Sequence, residues 1–331
     1  MCVRPACGVG GHMVLVTGAT GFVGSALLAR LQRDGIVVRA AVRKLGHTIS
    51  PDVQCVRVAD LGPDTDWGHA LSGVEIVVHA AARVHVMHDG LADPLSAYRQ
   101  VNVAGTLNLA QQAAKAGVRR FVFLSSVKVN GEATEQGLPF FADGLPAPCD
   151  PYGVSKLEAE QGLRRVAAET GMEVVFIRPP LVYGPNVKAN FLTMMRWLDR
   201  GVPLPLGAVH NQRSMVALGN LVDLMVVCLY HPCAAGQVFL VSDGEDLSTT
   251  QLLSRLGEAL GRPARLIPVP SGWLEAGARI IGRQVVAQRL LGSLQVDISK
   301  TRTLLGWVPP MSVAEGLRQT ADEWLASQRR H

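Results

Sequence analysis

Three glycines fix the first corner of this chain. The stretch Met13-Val14-Leu15-Val16-Thr17-Gly18-Ala19-Thr20-Gly21-Phe22-Val23-Gly24 joins a short apolar run to a helix-spaced apolar pattern over 22–31. Glycine at positions 18, 21 and 24 lets the chain turn sharply, brings backbone N–H groups close to a phosphate, and seats the new helix against the strand. A glycine-rich strand-to-helix turn can be purely structural, but strand, turn and helix in this order suit a dinucleotide pyrophosphate.

The rest of the chain repeats the alternation. Strands are expected at 36–42, at 53–58 ending near Asp60, and at 74–79, 119–124 and 173–177. Helices are expected over 94–116 and 152–169. Such alternation specifies an α/β fold of Rossmann type, a doubly wound parallel sheet with helices on both faces. Beyond Tyr183 the pattern loosens into Pro and Gly clusters, with helices expected at 191–200, 218–230, 249–260, 273–283 and 313–327. The reading is a disordered leader (1–12), a dinucleotide-binding domain (13–182) rejoined by a strand near 237–241, and a smaller C-terminal α/β substrate-binding region within 183–331.

A length of 331 residues, 48% apolar and 18% charged, gives ample material for a core. The formal charge of +5 comes from scattered Lys and Arg, so an anionic small ligand fits better than nucleic acid. Six cysteines show no C-x-x-C and no framework spacing, which favours reduced thiols. No run approaches the roughly 18–20 apolar residues of a membrane span, and no signal-type apolar core opens the chain. A cytoplasmic location is expected.

Tyr152-Gly153-Val154-Ser155-Lys156 sets a phenol and an ammonium one helical turn apart. A neighbouring cation is expected to lower the phenol pKa, suiting it to exchange a proton with a sugar or ketone oxygen while hydride moves at carbon. Ser126, with Ser125, ends the fifth strand, at the edge where open α/β sheets bind ligands. Tyr-x-x-x-Lys alone is also an ordinary surface pair; together with the glycine corner and Ser126 it reads as a catalytic set. His85 and His88 lack a third metal ligand at suitable spacing, and Cys149 lacks a nearby base, so neither is promoted and no metal is expected.

With these residues in hand, the chain resembles the extended short-chain dehydrogenase/reductases, the nucleotide-sugar epimerase and dehydratase group. The likeness also rests on Asp60-Leu61, His79-Ala80-Ala81-Ala82, Asn102-Val103-Ala104-Gly105-Thr106, Arg178-Pro179, Val182-Tyr183-Gly184-Pro185 and Leu305-Gly306-Trp307. It implies that Thr20, Phe22 and Val23 join the glycines in holding the cofactor. It further implies Asp60 and Leu61 along the adenine, Ala80, Ala81 and Ala82 along ribose and phosphates, and Asn102 among the cofactor-binding residues. Lys156 would hold the nicotinamide ribose, with Pro179 and Val182 near the nicotinamide. Dimerisation is implied through the two long helices starting near Pro94 and Tyr152. Similarity to UDP-sugar enzymes implies Asn190 and Arg213 at the substrate diphosphate, Pro203 to Gly207 on the uracil, and Arg289 as a second arginine displaced from the usual spacing. Lys128 either touches substrate or lines the entrance.

The end of the second strand reads Ala41-Val42-Arg43-Lys44, without the acidic residue expected of an NAD-specific site. Arg43 would meet a 2′-phosphate, so NADP(H) is favoured over NAD(H), unless both basic residues sit on a solvated loop. The acid pair that dehydratases of the group carry after the serine is Val127-Lys128 here, which disfavours dehydration. The main expectation is NADPH-dependent reduction of a UDP-4-keto-6-deoxy-N-acetylhexosamine. Residues 125–132 and 292–300 resemble a bacterial O-antigen subgroup that includes 4-ketoreductases making UDP-N-acetylquinovosamine. The alternatives are a UDP-hexose 4-epimerase and a non-catalytic NADP-binding sensor.

Overall fold

The computed structural model describes residues 12–44, 49–50, 52–84, 93–280, 282 and 284–329. The chain opens with β1 (Met13–Thr17), α1 (Phe22–Arg33), β2 (Val38–Val42), β3 (Gln54–Arg57), α2 (Gly68–Leu71) and β4 (Val74–His79). It continues through α3 (Pro94–Tyr98), a π-helical stretch (Arg99–Gly105), α4 (Thr106–Lys115), β5 (Arg120–Leu124), α5 (Pro151–Thr170), β6 (Glu173–Arg178) and β7 (Leu181–Tyr183). The remainder comprises α6 (Ala189–Asp199), β8 (Met215–Ala217), α7 (Leu218–Tyr230), β9 (Val238–Leu240), α8 (Thr249–Ala259), α9 (Ser271–Ile280), α10 (Gln284–Leu291), α11 (Ser299–Leu305) and α12 (Val313–Arg329).

Seven strands form one sheet in the order β3-β2-β1-β4-β5-β6-β9, every pair parallel. The order reverses direction between β1 and β4, which opens a crevice at their carboxyl ends. Apolar β-branched runs suit these strands because helices cover both faces. On one face Leu27, Leu28 and Leu31 of α1 pack with Leu221, Leu224 and Met225 of α7. On the other, Leu109 and Ala113 of α4 pack with Ala159, Leu163 and Val166 of α5. A third core joins α6, α8 and α12 around Tyr183, Phe191, Met195, Leu253 and Leu317.

β9 returns to the large sheet beside β6, while β7 and β8 form a separate parallel pair. Those two strands have three residues each, too few for alternation to register. The helix expected over 94–116 is not one α-helix: its middle turn widens into the π stretch. There Gly105 lies so close to Leu61 that a Cβ would sit 2.9 Å from its Cγ. The helix expected over 273–283 is α9, ending at Ile280, while α2, α10, α11 and the short helices were not anticipated. The leader ahead of His12 and the pair His85 and His88 lie outside the described residues.

Backbone contact at the first corner makes the glycines obligatory. Gly18 has φ +68°, and a Cβ there would lie 2.7 Å from the backbone of Ala80 and Ala81. A Cβ on Gly24 would lie 2.1 Å from the Gly18 oxygen. Neither neighbour is a side chain that could swing aside. Gly24→Ala should therefore destabilise the fold by about 3 kcal/mol or more, read as a lowered urea midpoint.

Candidate active site

The carboxyl ends of the parallel strands gather most of the expected residues. Gly18 follows β1, Arg43 follows β2, Ala80 to Ala82 follow β4, Ser125 and Ser126 follow β5, and Pro179 follows β6. Gly21 starts α1 with no side-chain cap, and the first turn carries no acidic residue. Its first N–H groups are thus available to an anion, with Thr20 exposed and Phe22 and Val23 partly exposed beside them. Uncapped helix start and crowded glycines together fit a dinucleotide pyrophosphate. Val182, in β7, is partly buried. A groove of about 690 Å³ runs from Thr20, Gly21 and Phe22 between α1 and α7. Tyr152, Ser126 and Lys156 are not on its wall, so the strand ends define the candidate centre better than this groove does.

Asp150 and Pro151 start α5 as N-cap and first helical residue, Asp150 accepting from the Gly153 N–H at 2.6 Å. This start sets Tyr152 in the first turn, where its hydroxyl hydrogen-bonds Ser126. The Tyr98 ring meets the Tyr152 ring edge-on, centroids 6.1 Å apart. Burial foremost, then the charge of Asp150 and the neighbouring Tyr98, push the phenol pKa up, and the Ser126 hydrogen bond works the other way. The expected lowering of this pKa by Lys156 is not what the structure shows. The Lys156 Nζ stands 5.9 Å from the Tyr152 ring centroid and donates to the Leu124 carbonyl at 2.9 Å. It also lies 4.4 Å from the Phe123 ring centroid.

A polar network lies behind the pair. Glu160, one turn beyond Lys156, accepts from Arg178 Nε at 2.9 Å and Nη2 at 2.6 Å, and from the Ser125 hydroxyl at 2.6 Å. Arg178 also donates to Asn130 at 3.1 Å. Ser125, expected at the substrate, is therefore buried and committed to Glu160. His79 bridges Thr17 at 2.7 Å and Thr106 at 2.9 Å. Burial and the nearby Lys156 charge lower its pKa to about 3, so it stays neutral.

Other expected residues have partners within the protein. Asn102, expected at the cofactor, spends its amide on protein: its oxygen accepts from the Arg83 N–H at 2.8 Å. Its nitrogen donates to the Arg83 carbonyl and the Ser155 hydroxyl, both at 3.0 Å. Ser155 in turn donates to the Tyr152 carbonyl at 2.8 Å, so Asn102 acts by fixing α5. Lys128 pairs with Glu132 at 3.0 Å and with Asp150, beside Tyr152. Arg43 reaches Asp60 at 3.3 Å in an exposed pair, with Leu61 partly buried next to it.

The two arginines expected at the substrate lie near each other. Arg213 donates to the Gly292 carbonyl at 2.9 Å, and its pKa is lowered by burial and by the charge of Arg289. Two adjacent guanidinium groups suit a diphosphate. Asn190 is exposed at the start of α6. Among the described residues no cluster of side chains suits a metal ion. Sequence reasoning missed Asp150, Ser155, Glu160 and Arg178 as a supporting shell. The Asp-Pro helix start and the i+4 step from Lys156 to Glu160 were the available signals.

Burial lowers the Lys156 pKa from 10.5 to about 7, Glu160 opposing the shift. The unfolded chain then holds the extra proton between these values, so this group's contribution to stability rises with pH across that window. Below pH 7 the penalty is complete, on the order of 5 kcal/mol. Lys156→Met should melt higher than wild type at pH 6, and the gap should close toward pH 10. Thermal unfolding at several pH values checks both.

Three comparisons bear on this geometry. The profile described as "NAD dependent epimerase/dehydratase family" matches residues 14–242. A Vibrio cholerae protein named UDP-glucose 4-epimerase is 48% identical over 320 residues, covering 96% of this chain and 97% of the relative. Among solved structures, MoeE5 in complex with UDP-glucose and NAD is 26% identical at a TM-score of 0.75, covering 95% of this chain and 99% of that one. The UDP-glucose 4-epimerase of Thermotoga maritima, 22% identical at a TM-score of 0.76 over 96% of this chain and 99% of its own, shares the fold. With the glycine corner, the Tyr152–Lys156 helix and the strand order all in place, this chain belongs to the NAD-dependent epimerase/dehydratase family.

Proposed function

We propose that this protein is a UDP-hexose 4-epimerase working with a nicotinamide dinucleotide. The observation that carries the reading is the Tyr152 phenol hydrogen-bonded to Ser126 at the end of β5, one helical turn from Lys156. The 48% identity with the Vibrio cholerae epimerase favours epimerisation over the net reduction expected from sequence. When bound, the dinucleotide supplies a place for hydride to leave the sugar carbon and return to it. Gly18, Thr20, Gly21, Phe22, Val23 and Gly24 would hold its pyrophosphate, with Asp60, Leu61 and Ala80 to Ala82 along the adenosine half. Lys156, Pro179 and Val182 would lie toward the nicotinamide.

The Tyr152 hydroxyl oxygen moves the proton of the sugar hydroxyl, accepting it as the carbonyl forms and returning it as the carbonyl is reduced. Ser126 hydrogen-bonds the same oxygen, and a protonated Lys156 would favour the tyrosinate that must stand ready to take that proton in the first half. Arg213 and Arg289 would hold the diphosphate, with Asn190 beside it. Lys128 balances Asp150 at the crevice wall. A homodimer through α5 and the helical stretch 94–115 accompanies this reading. A cytoplasmic setting accompanies this reading.

Net reduction of a UDP-4-keto sugar with NADPH stands as a second reading. It is favoured by Arg43 at the end of β2, where the strand itself ends without an acidic residue. Stoichiometry separates the two. Interconversion of UDP-glucose and UDP-galactose, or of their N-acetyl forms, without added reductant supports epimerisation. Consumption of reduced cofactor by a 4-keto substrate without interconversion supports reduction. Tyr152→Phe should lower turnover by about 10²–10⁴-fold while cofactor binding persists; untouched activity would remove the phenol from the chemistry. Arg43→Ala should weaken NADPH binding and spare NADH if the arginine reads a 2′-phosphate, and an unchanged preference would return Arg43 to the solvated loop.

A further inference from the structure

Helix α9 turns its apolar side away from the protein. Trp273, Ala276, Gly277 and Ile280 recur at i, i+3, i+4 and i+7, the spacing of one helical face. All four are exposed, Trp273 at 78% and Ile280 at 85%. Leu274 points the other way, onto the core formed by α6, α8 and α12, so the helix is anchored along its opposite side. Ile267 ahead of α9 and Val286 in α10 are exposed as well.

The charge along this segment is mostly positive. Between positions 262 and 283 the chain carries Arg262, Arg265, Arg279 and Arg283 against Glu275 alone. Arg262, Arg265 and Arg279 are all exposed. A second copy stacked on the stripe about a two-fold axis would set these cations against their own kind. An anionic headgroup layer complements them, while the tryptophan and isoleucine suit the boundary between headgroups and acyl chains.

We propose that α9 and α10 seat the protein on an anionic phospholipid surface, with Trp273 and Ile280 entering the acyl boundary and Arg279 meeting the headgroups. The attachment is peripheral, since no helix among the described residues is long and apolar enough to cross a membrane. It does not rest on the proposed chemistry.

Flotation of the full chain with vesicles tests the idea. Wild type should float with vesicles of equal parts phosphatidylglycerol and phosphatidylcholine, stay behind with phosphatidylcholine alone, and release in high salt. The double substitution Trp273→Ser with Ile280→Ser should cut the bound fraction at least tenfold, and Arg279→Glu should weaken it as well. Both variants should keep the wild-type melting temperature and vesicle-free turnover. Wild type that ignores anionic vesicles overturns the proposal, as does a double variant that binds undiminished. A concentration-dependent dimer that the double variant dissolves would put a second copy on the stripe and overturn it equally.

Discussion

The approach of bare backbone to bare backbone at the β1–α1 corner is the constraint from which the rest follows. Gly18 touches the peptide between Ala80 and Ala81, and Gly24 touches Gly18, because neither has a Cβ. These contacts let α1 begin directly against the β1–β4 junction, where the strand order reverses. The uncapped N–H groups of α1 and the carboxyl ends of β1 and β4 consequently share one crevice, where a dinucleotide is expected to lie.

Helix α5 supplies the other wall and divides its labour along one face. Tyr152, Lys156 and Glu160 follow one another at successive turns, the first two forming the candidate catalytic pair and the third tying the helix to β6 through Arg178. The Glu160–Arg178 pair is buried, and its value lies in holding a position more than in adding stability, since two charges lose hydration when enclosed. Its carboxylate also offsets the cost of burying Lys156. Asn102 locks the same helix from the opposite side through Ser155, at the widened π turn.

Much of the architecture was legible in the sequence because parallel strands buried on both faces must be apolar throughout. The glycine corner, β4 (Val74–His79) and α7 (Leu218–Tyr230) stand as the residue pattern predicts. β7 and β8 were not legible, since three residues cannot display a period. The stripe on α9 shows the converse failure. Its spacing was visible and predicts a helix, yet the same spacing ordinarily marks a buried face, and burial is decided by what stands opposite.

By itself the sequence determined the alternation of strands and helices, the glycine corner, and a phenol one turn from an ammonium, because these are local properties of neighbouring residues. Tertiary structure alone decided which polar groups face the crevice and which are consumed within the protein. Ser125 and Asn102 have the chemistry to bind a ligand, but Glu160, Arg83 and Ser155 already occupy them. It likewise decided the electrostatics, raising the Tyr152 pKa and lowering that of Lys156, because desolvation depends on how chain segments distant in sequence close around each group.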